Sequence, residues 1–435
     1  MSSKQLKRVD VAIVGGGIIG CAIAWYLSGR GLSVGVYEKG RIAGEQSGKN
    51  SGFVRKQGRD RREMPLIKRS LDLWNRIDAE IGDVTGFRAS GIIALASDED
   101  KLGRMRDWLE IAREFEVDST LVASSGIRSV NPSLQAPFLG GLYTPSDARA
   151  EPSLAAPAIA RALARKGADV RENCLVEGLF MQAGKVAGIV TEQGEVRAET
   201  VVVAAGLWSG VFLRRYGISV PQVDLRVSVG RTAPFDHGIA LPTIFDKALV
   251  RPRHDGGLTI APGLQGPLDY DAAFRSLRYA PRYVRTLFAS REGTRVNIGR
   301  HFWDDGRMVS AYLSGAPDRY EALRVPHVPA NGGVLESSRA AAKAAFGITD
   351  DMALVETWAC RIDITPDGVP VLDQVSDRGN LVIATGMSGH GFGISLGVGD
   401  TLAELIDTGA TTIPLEPFRL QRFRERFFAA PQNVL

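Results

Sequence analysis

Apolar residues follow two rhythms along this chain, and the rhythms predict its elements. Val9–Val14 is a short apolar run that stops at glycines, which predicts a buried parallel strand. Residues 18–28 are apolar with small residues among them and predict a buried helix that stops at Gly29-Arg30-Gly31. Ser33–Tyr37 predicts a second strand ending at Glu38, so one strand–helix–strand unit opens the chain. The same order returns near the other end. Residues 380–409, NLVIATGMSGHGFGISLGVGDTLAELIDTG, predict a strand, a glycine-rich loop and a helix beginning near Ile394.

Between these ends the period changes. Ile67, Leu71, Trp74, Ile77 and Ile81 recur at helical spacing and predict an amphipathic helix over 62–81. Leu102, Met105, Leu109, Ala112 and Phe115 do the same over 98–116. A third helix is predicted over 153–168, entered after Pro152 and left at Gly167. From 169 to 205, strand-like runs separated by the turn signals QAGK and EQGE predict a small meander that leads into TVVVAAG, 200–206. Residues 216–345 mix polar loops with short runs at 225–235, 257–262 and 307–315, all read as strands of a mostly β domain. ETWACRIDITPDGVPVLDQ, 356–374, reads as two extended segments about a turn at Pro366-Asp367-Gly368.

Composition narrows the class. A length of 435 residues suggests two domains. The net charge of +4 is small for that size: it gives no reason to expect nucleic acid and suits an anionic cofactor or substrate equally. Cys21, Cys174 and Cys360 are far apart, odd in number and without a CxxC. That argues against a disulfide framework and a cysteine metal site, and for a reducing, cytoplasmic compartment. The N-terminus does not read as a signal peptide, and no apolar run approaches the roughly 18 residues of a membrane span. The basic, aromatic segment 417–428 reads as an ordinary C-terminal element packed by its apolar side.

The chemistry begins at Gly15-x-Gly17-x-x-Gly20, set between a predicted strand and helix, with Glu38 closing the next strand 18 residues after Gly20. In that setting the pattern is a dinucleotide fingerprint: the glycines allow a tight turn, a close approach of backbone N–H groups to a pyrophosphate, and close helix–strand packing. The helix N-terminus faces the phosphates, and an acid at position 38 would accept hydrogen bonds from ribose hydroxyls. Three further glycine-containing stretches, 44–60, 201–210 and 382–395, would let a longer ligand run across the domain. Together they favour FAD over NAD.

VAIVGGGIIG with VYEKG, SGKNSGFVR, VVVAAGLWSG, TPDGVPVL and ATGMSGHGFGIS resemble, in order and spacing, the FAD-dependent D-amino-acid-oxidase-like family. That family includes glycine and sarcosine oxidases, D-amino-acid dehydrogenases and glutamylpolyamine oxidases. The resemblance implies an α/β plus α+β fold, a Rossmann-like FAD-binding domain interleaved with a mostly antiparallel-β substrate domain. It places the first over 1–85, 146–215 and 350–435 and the second over 86–145 and 216–349. It implies cofactor contacts from Gly15, Gly17, Ile18, Gly20, Glu38 and Lys39. Further contacts are implied from Ser47, Asn50, Ser51, Val176, Gly206 and Trp208, and from the loop Gly386, Gly389, His390, Gly391, Phe392 and Gly393. A helix N-terminus behind that loop would stabilise negative charge on a reduced flavin, and His390 would add a donor.

The implied reaction takes hydride, or its equivalent, from a C–H beside nitrogen of an amino acid or N-substituted amine to flavin N5, leaving an imine that hydrolyses. The implied substrate-side groups are Arg55, which matches a carboxylate-binding arginine of sarcosine oxidases, and Arg361, one place before a similar arginine of glycine oxidases. Sarcosine oxidases carry lysine where this chain has Gly393, which leaves room for a bulkier substrate. Cys360 falls where some relatives hold the flavin covalently; a buried, unlinked cysteine is the preferred reading. Arg251, Arg253, Arg300 and His301 are read as solvated strand residues. No metal is expected. Oxidation of a hydroxy acid or polyol, or service as the FAD subunit of a larger complex, stays open. So do the acceptor, oxygen or quinone, and the choice between homo-oligomer and partner subunit.

Overall fold

The computed structural model describes residues 7–263, 268–283, 294–314, 324–375, 378 and 380–424. Its first sheet is built on parallel strands: Lys7–Val14 pairs with Gly194–Val203 on one side and Val34–Tyr37 on the other, and Leu381–Thr385 joins the far end of Gly194–Val203. Asp169–Arg171 extends one edge, and the meander Val176–Gln182, Lys185–Thr191 and Gly194–Val203 extends the other. Lys7–Val14 has its last four residues buried on both faces, which is why it reads as a continuous apolar run.

Helices Ile18–Gly29, Met64–Ile81, Pro152–Arg165 and Gly391–Thr408 pack into one core against this sheet. Ile18–Gly29 is buried along nearly all its length, whereas Met64–Ile81 carries one apolar stripe and closes at Gly82 in the left-handed conformation, φ 58°. Gly391–Thr408 begins three residues earlier than the pattern suggested, because its glycine-rich first turn is already helical.

The second sheet is mostly antiparallel. Val223–Thr232 is its centre, flanked by Leu258–Pro262 and Leu268–Asp271, and the sheet continues through Ala248–Pro252 and Thr243–Phe245 to Ile92–Ala96, Gly140–Thr144 and Thr120–Ala123. Leu354–Ile364 also belongs here. It lies inside the stretch expected for the nucleotide domain, yet pairs with Val223–Thr232 from Val223↔Ile364 to Thr232↔Leu354. The two extended segments of 356–374 therefore part company at the turn: Val371–Val375 pairs with Leu381–Thr385 of the first sheet.

Two expectations fail in the 300s. Residues 307–314 are not a strand, and Arg300 and His301 do not lie in strands: Arg300–Ser314 is a helix, and residue 315 lies outside the described residues. Its buried positions Asp305, Val309 and Tyr312 fall four and three residues apart, and the buried aspartate obscured the spacing. The C-terminal segment packs as expected over its described part, with Phe418 and Phe423 buried, while 425–428 lie outside the described residues.

Candidate cofactor and substrate site

Where the parallel strands end, their turns line one long cavity enclosing about 1430 Å³, solvent at its mouth included. One end is walled by Glu38, Lys39, Leu175 and Val176, the middle by Gly15, Gly17 and Ser47, and the far end by Ile362, Gly389, Gly391 and Phe392. Gly15 sits at φ 109°, and a Cβ there would lie 2.5 Å from the Ala204 carbonyl oxygen, so only glycine closes this turn. Gly20 packs on the other side of the same turn, where a Cβ would stand 2.1 Å from the Gly15 carbonyl oxygen. Ile18 N–H donates to Ser47 Oγ at 2.9 Å, joining the helix N-terminus to the loop that follows.

Glu38 accepts from Gly16 N–H and Gly40 N–H, each at 2.8 Å. Burial pushes its carboxyl up, against the pull of those two amides and Lys39. Lys39 pairs with Glu45 at 2.5 Å and donates to the Arg324 carbonyl at 3.0 Å. Trp208 Nε1 donates to Glu45 at 3.1 Å, so Glu45, which sequence reasoning passed over, ties two expected residues together.

The structure sorts the remaining expected residues. Asn50, Gly206 and Trp208 line the long cavity; Gly20, Ser51, Gly386, His390 and Gly393 do not. Ser51 offers its carbonyl to Arg251, and Gly386 N–H donates to Asp363 at 2.8 Å. His390 Nδ1 lies 2.9 Å from Glu63 Oε2, in a buried group with Arg55, Arg59 and Asp147 beneath the 386–391 turn. Burial lowers the His390 pKa, so the neutral ring donates from Nδ1 to Glu63. Arg55 donates to the Gln57 carbonyl and is pushed down to about 9, first by burial and then by Arg59. Neither Arg55 nor His390 lines a described cavity.

Arg361 and Cys360 line a second, smaller cavity beside the first. Burial pushes the Cys360 thiol up to about 12. Arg251 corrects the expectation of a solvated arginine: its side chain is 1% exposed and forks onto Glu151 at 2.7 and 3.1 Å, with Nε on the Ser51 carbonyl at 2.6 Å. Burial opposes ionisation of Glu151, but Arg251, the His254 N–H and Arg253 together outweigh it and the carboxyl is lowered. Arg253 is likewise paired, with Asp255 at 3.2 Å.

Asp363 was also missed. It lines the long cavity, and burial pushes its carboxyl up to about 6. Its Oδ2 accepts from Gln222 Nε2 at 2.9 Å and from Gly386 N–H. The signal available was an acid amid apolar strand residues just before the Pro366 turn.

A strand–glycine–helix turn with an acid on the second strand, opening onto a cavity of this length, defines a dinucleotide-binding flavoprotein. The family described as FAD dependent oxidoreductase, DAO, matches residues 10–405, and the chain belongs to it. Sarcosine oxidase subunit beta of Arthrobacter sp is 25% identical over 430 residues, covering 96% of this chain and 91% of its own. Mitochondrial sarcosine dehydrogenase of Homo sapiens is 23% identical over 436 residues, 98% of this chain but 43% of its own, so the chain spans less than half of that relative. Among solved structures, L-amino acid deaminase from Proteus myxofaciens, in complex with anthranilate, superposes with a TM-score of 0.89 at 25% identity, covering 96% of this chain and 94% of that one. FAD is the cofactor of this family, and the glycine turns and long cavity suit it. No helix among the described residues is long and apolar enough to cross a membrane.

Proposed function

We propose that this protein oxidises the C–H bond next to nitrogen in an amino acid or N-substituted amine. FAD, when bound, supplies the hydride acceptor, and the imine product hydrolyses. The observation that carries the reading is the single cavity running from Glu38 to Phe392, lined from both ends of the chain and reaching the edge of the second sheet at Ile362 and Asp363. Family membership supports it, as do relatives named for sarcosine and amino-acid substrates.

Glu38 would take the ribose hydroxyls, the turn at Gly17 that opens helix Ile18–Gly29 would face the pyrophosphate, and Val176 would contact the adenine. Gly389, Gly391 and Phe392 would hold the pyrimidine edge, where the N-terminus of helix Gly391–Thr408 would favour negative charge. Arg361, at a cavity wall, takes a substrate carboxylate. Arg55 and His390 stand behind the 386–391 turn and position it. The substrate amine enters neutral, and exclusion of water by the second sheet keeps it so. Oxygen or a quinone then takes the electrons.

An anaerobic screen following loss of the visible flavin absorbance tests this, covering D- and L-amino acids, N-alkyl amino acids and polyamine conjugates, with hydroxy acids and polyols alongside. Bleaching by amines alone is expected; bleaching only by hydroxy acids overturns the proposal. A second reading, activity as one subunit of an assembly, is favoured by the end-to-end likeness to a sarcosine oxidase subunit. Co-purification with other chains from the native host checks it.

A further inference from the structure

Beside the long cavity lies a second, enclosing about 430 Å³ with its mouth included, and Glu45, Gln46, Leu207 and Trp208 wall both. Three cations face it: Lys49, Arg275 and Arg361. Its one acidic wall residue among the described residues, Glu45, is engaged by Lys39 and by Trp208 Nε1. Arg275 is 9% exposed and lies 4.6 Å over the Trp208 ring. Its Nη2 reaches Asp305 at 2.7 Å and Asp224 at 3.5 Å, but Nε and Nη1 have no hydrogen-bond partner among the described residues. Arg361 Nε is likewise unpartnered among them, the nearest carboxylate being Asp271 at 3.8 Å. The aspartates hold the two guanidiniums in place without using up their donors. Buried N–H groups left this way are costly unless something accepts from them, and planar guanidiniums favour a planar, two-oxygen acceptor.

Resting on the amine-oxidation reading, we propose that this second cavity receives a carboxylate of the substrate remote from the reacting C–H, so that the substrate is an amine or amino acid with a second, distal carboxylate. One strand links the two places: Cys360 and Arg361 wall the second cavity, while Ile362 and Asp363 wall the first. A ligand lying along them needs only a few bonds between its nitrogen and its far carboxylate, since each extended residue advances about 3.3 Å. Arg275, 86 residues upstream of Arg361, is the specificity-determining group that the sequence did not single out.

The test uses the FAD-loaded protein and matched pairs differing only in the distal carboxylate, such as N-(carboxymethyl)alanine against N-methylalanine and glutamate against glutamine. The member with the distal carboxylate is expected to half-saturate flavin bleaching at least tenfold lower than the member without it, and Arg361→Gln or Arg275→Lys to abolish that preference. If Arg275→Lys fails to fold because Asp224 and Asp305 lose their partner, Arg361→Gln carries the test. Independently of turnover, glutarate is expected to change the fluorescence of Trp208 saturably, and the change to vanish in Trp208→Phe and in Arg361→Gln. Equal half-saturation within the pairs, or no saturable glutarate response, overturns the proposal; a response to inorganic phosphate as tight as that to glutarate overturns the carboxylate assignment. If no amine bleaches the flavin at all, the amine reading fails, and the glutarate titration still decides whether the cavity binds a carboxylate.

Discussion

Helix Gly391–Thr408 meets its two neighbours through glycines, and filling those contacts tests how the site is held. A Cβ on Gly397 would stand 2.2 Å from the Leu66 carbonyl oxygen and 3.0 Å from Ser70 N; one on Gly399 would stand 2.7 Å from the Ala22 carbonyl carbon. These obstacles are backbone, so no side chain can swing away and the helix must move as a body. Glycine to alanine inside a helix gains about 1 kcal/mol of propensity. Overpacking costs typically about 1–3 kcal/mol, and an approach to 2.2 Å belongs at or above the upper end. Gly397→Ala is therefore expected to lose about 2 kcal/mol net. Gly103→Ala, in helix Glu99–Glu114 with nothing within 4 Å of the new Cβ, keeps only the gain of about 1 kcal/mol. The two substitutions are chemically identical yet should move stability in opposite directions. For a chain this long 1 kcal/mol shifts Tm by only about 1 °C, so denaturant midpoints should be read as well. The displaced helix carries Gly391 and Phe392 at the cavity, so FAD affinity should fall in Gly397→Ala and stay unchanged in Gly103→Ala. Should Gly397→Ala match Gly103→Ala in stability and in FAD affinity, the close helix contacts do not hold the cavity's far end.

Three further outcomes follow from the same geometry. Glu38→Ala removes the carboxylate that spans two backbone N–H groups and is placed to take the ribose; charge-assisted bonds contribute about 1.5–3 kcal/mol, so the FAD Kd by calorimetry should rise at least about tenfold, and an unchanged Kd removes Glu38 from the site. Asp147 is pushed up to about 6, mainly by burial, so the folded state binds its proton more tightly than the unfolded state. Its contribution is therefore present below about pH 4 and is lost as pH rises through about 6, by about 3 kcal/mol for a shift of roughly two units. Asp147→Asn should flatten the denaturant-midpoint profile between those values, and parallel profiles would contradict the assignment. With its thiol near 12, Cys360 is about one part in ten thousand thiolate at pH 8; acid precipitation should release all flavin to the supernatant and leave the denatured chain at its polypeptide mass, and an added flavin mass would refute this.

What the sequence disclosed was what a backbone turn requires locally. The turn at Gly15–Gly20 leaves no room for a Cβ at either end, so its glycines are legible as a motif, and Glu38 follows from the short crossover between paired strands. Arg251 and Arg275 were illegible for the opposite reason. Each is defined by partners distant in the chain, Glu151 100 residues before Arg251, and Asp224 and Asp305 on either side of Arg275, and nothing about an arginine in a polar stretch announces a buried ion pair. The helix Arg300–Ser314 was missed because Asp305 occupies one of its buried positions, paired to Arg275, and broke the apolar spacing. Arg55 matched by alignment but is turned into its own loop, where it donates to Gln57. Motif position fixes the backbone and leaves the side chain's direction to packing.

The strand Leu354–Ile364 ties the two sheets together. It is a full member of the second sheet, yet Asp363 crosses to the first, accepting from Gly386 N–H just beyond strand Leu381–Thr385. Gln222, at the start of Val223–Thr232, donates to the same carboxylate oxygen and to Thr385 Oγ1, and Thr385 Oγ1 in turn donates to the Gly206 carbonyl. One buried acid thus ties the second sheet to two of the glycine turns that line the long cavity. Sliding the sheets apart would strand a carboxyl that burial already disfavours as an anion, together with the Gly386 N–H and the Gln222 amide. The wall between the two cavities is therefore firmly tied, and the distance between Ile362 in one and Arg361 in the other is fixed by a single peptide unit. A substrate gripped at Arg361, as proposed, would be held in fixed register with the residues that line the long cavity.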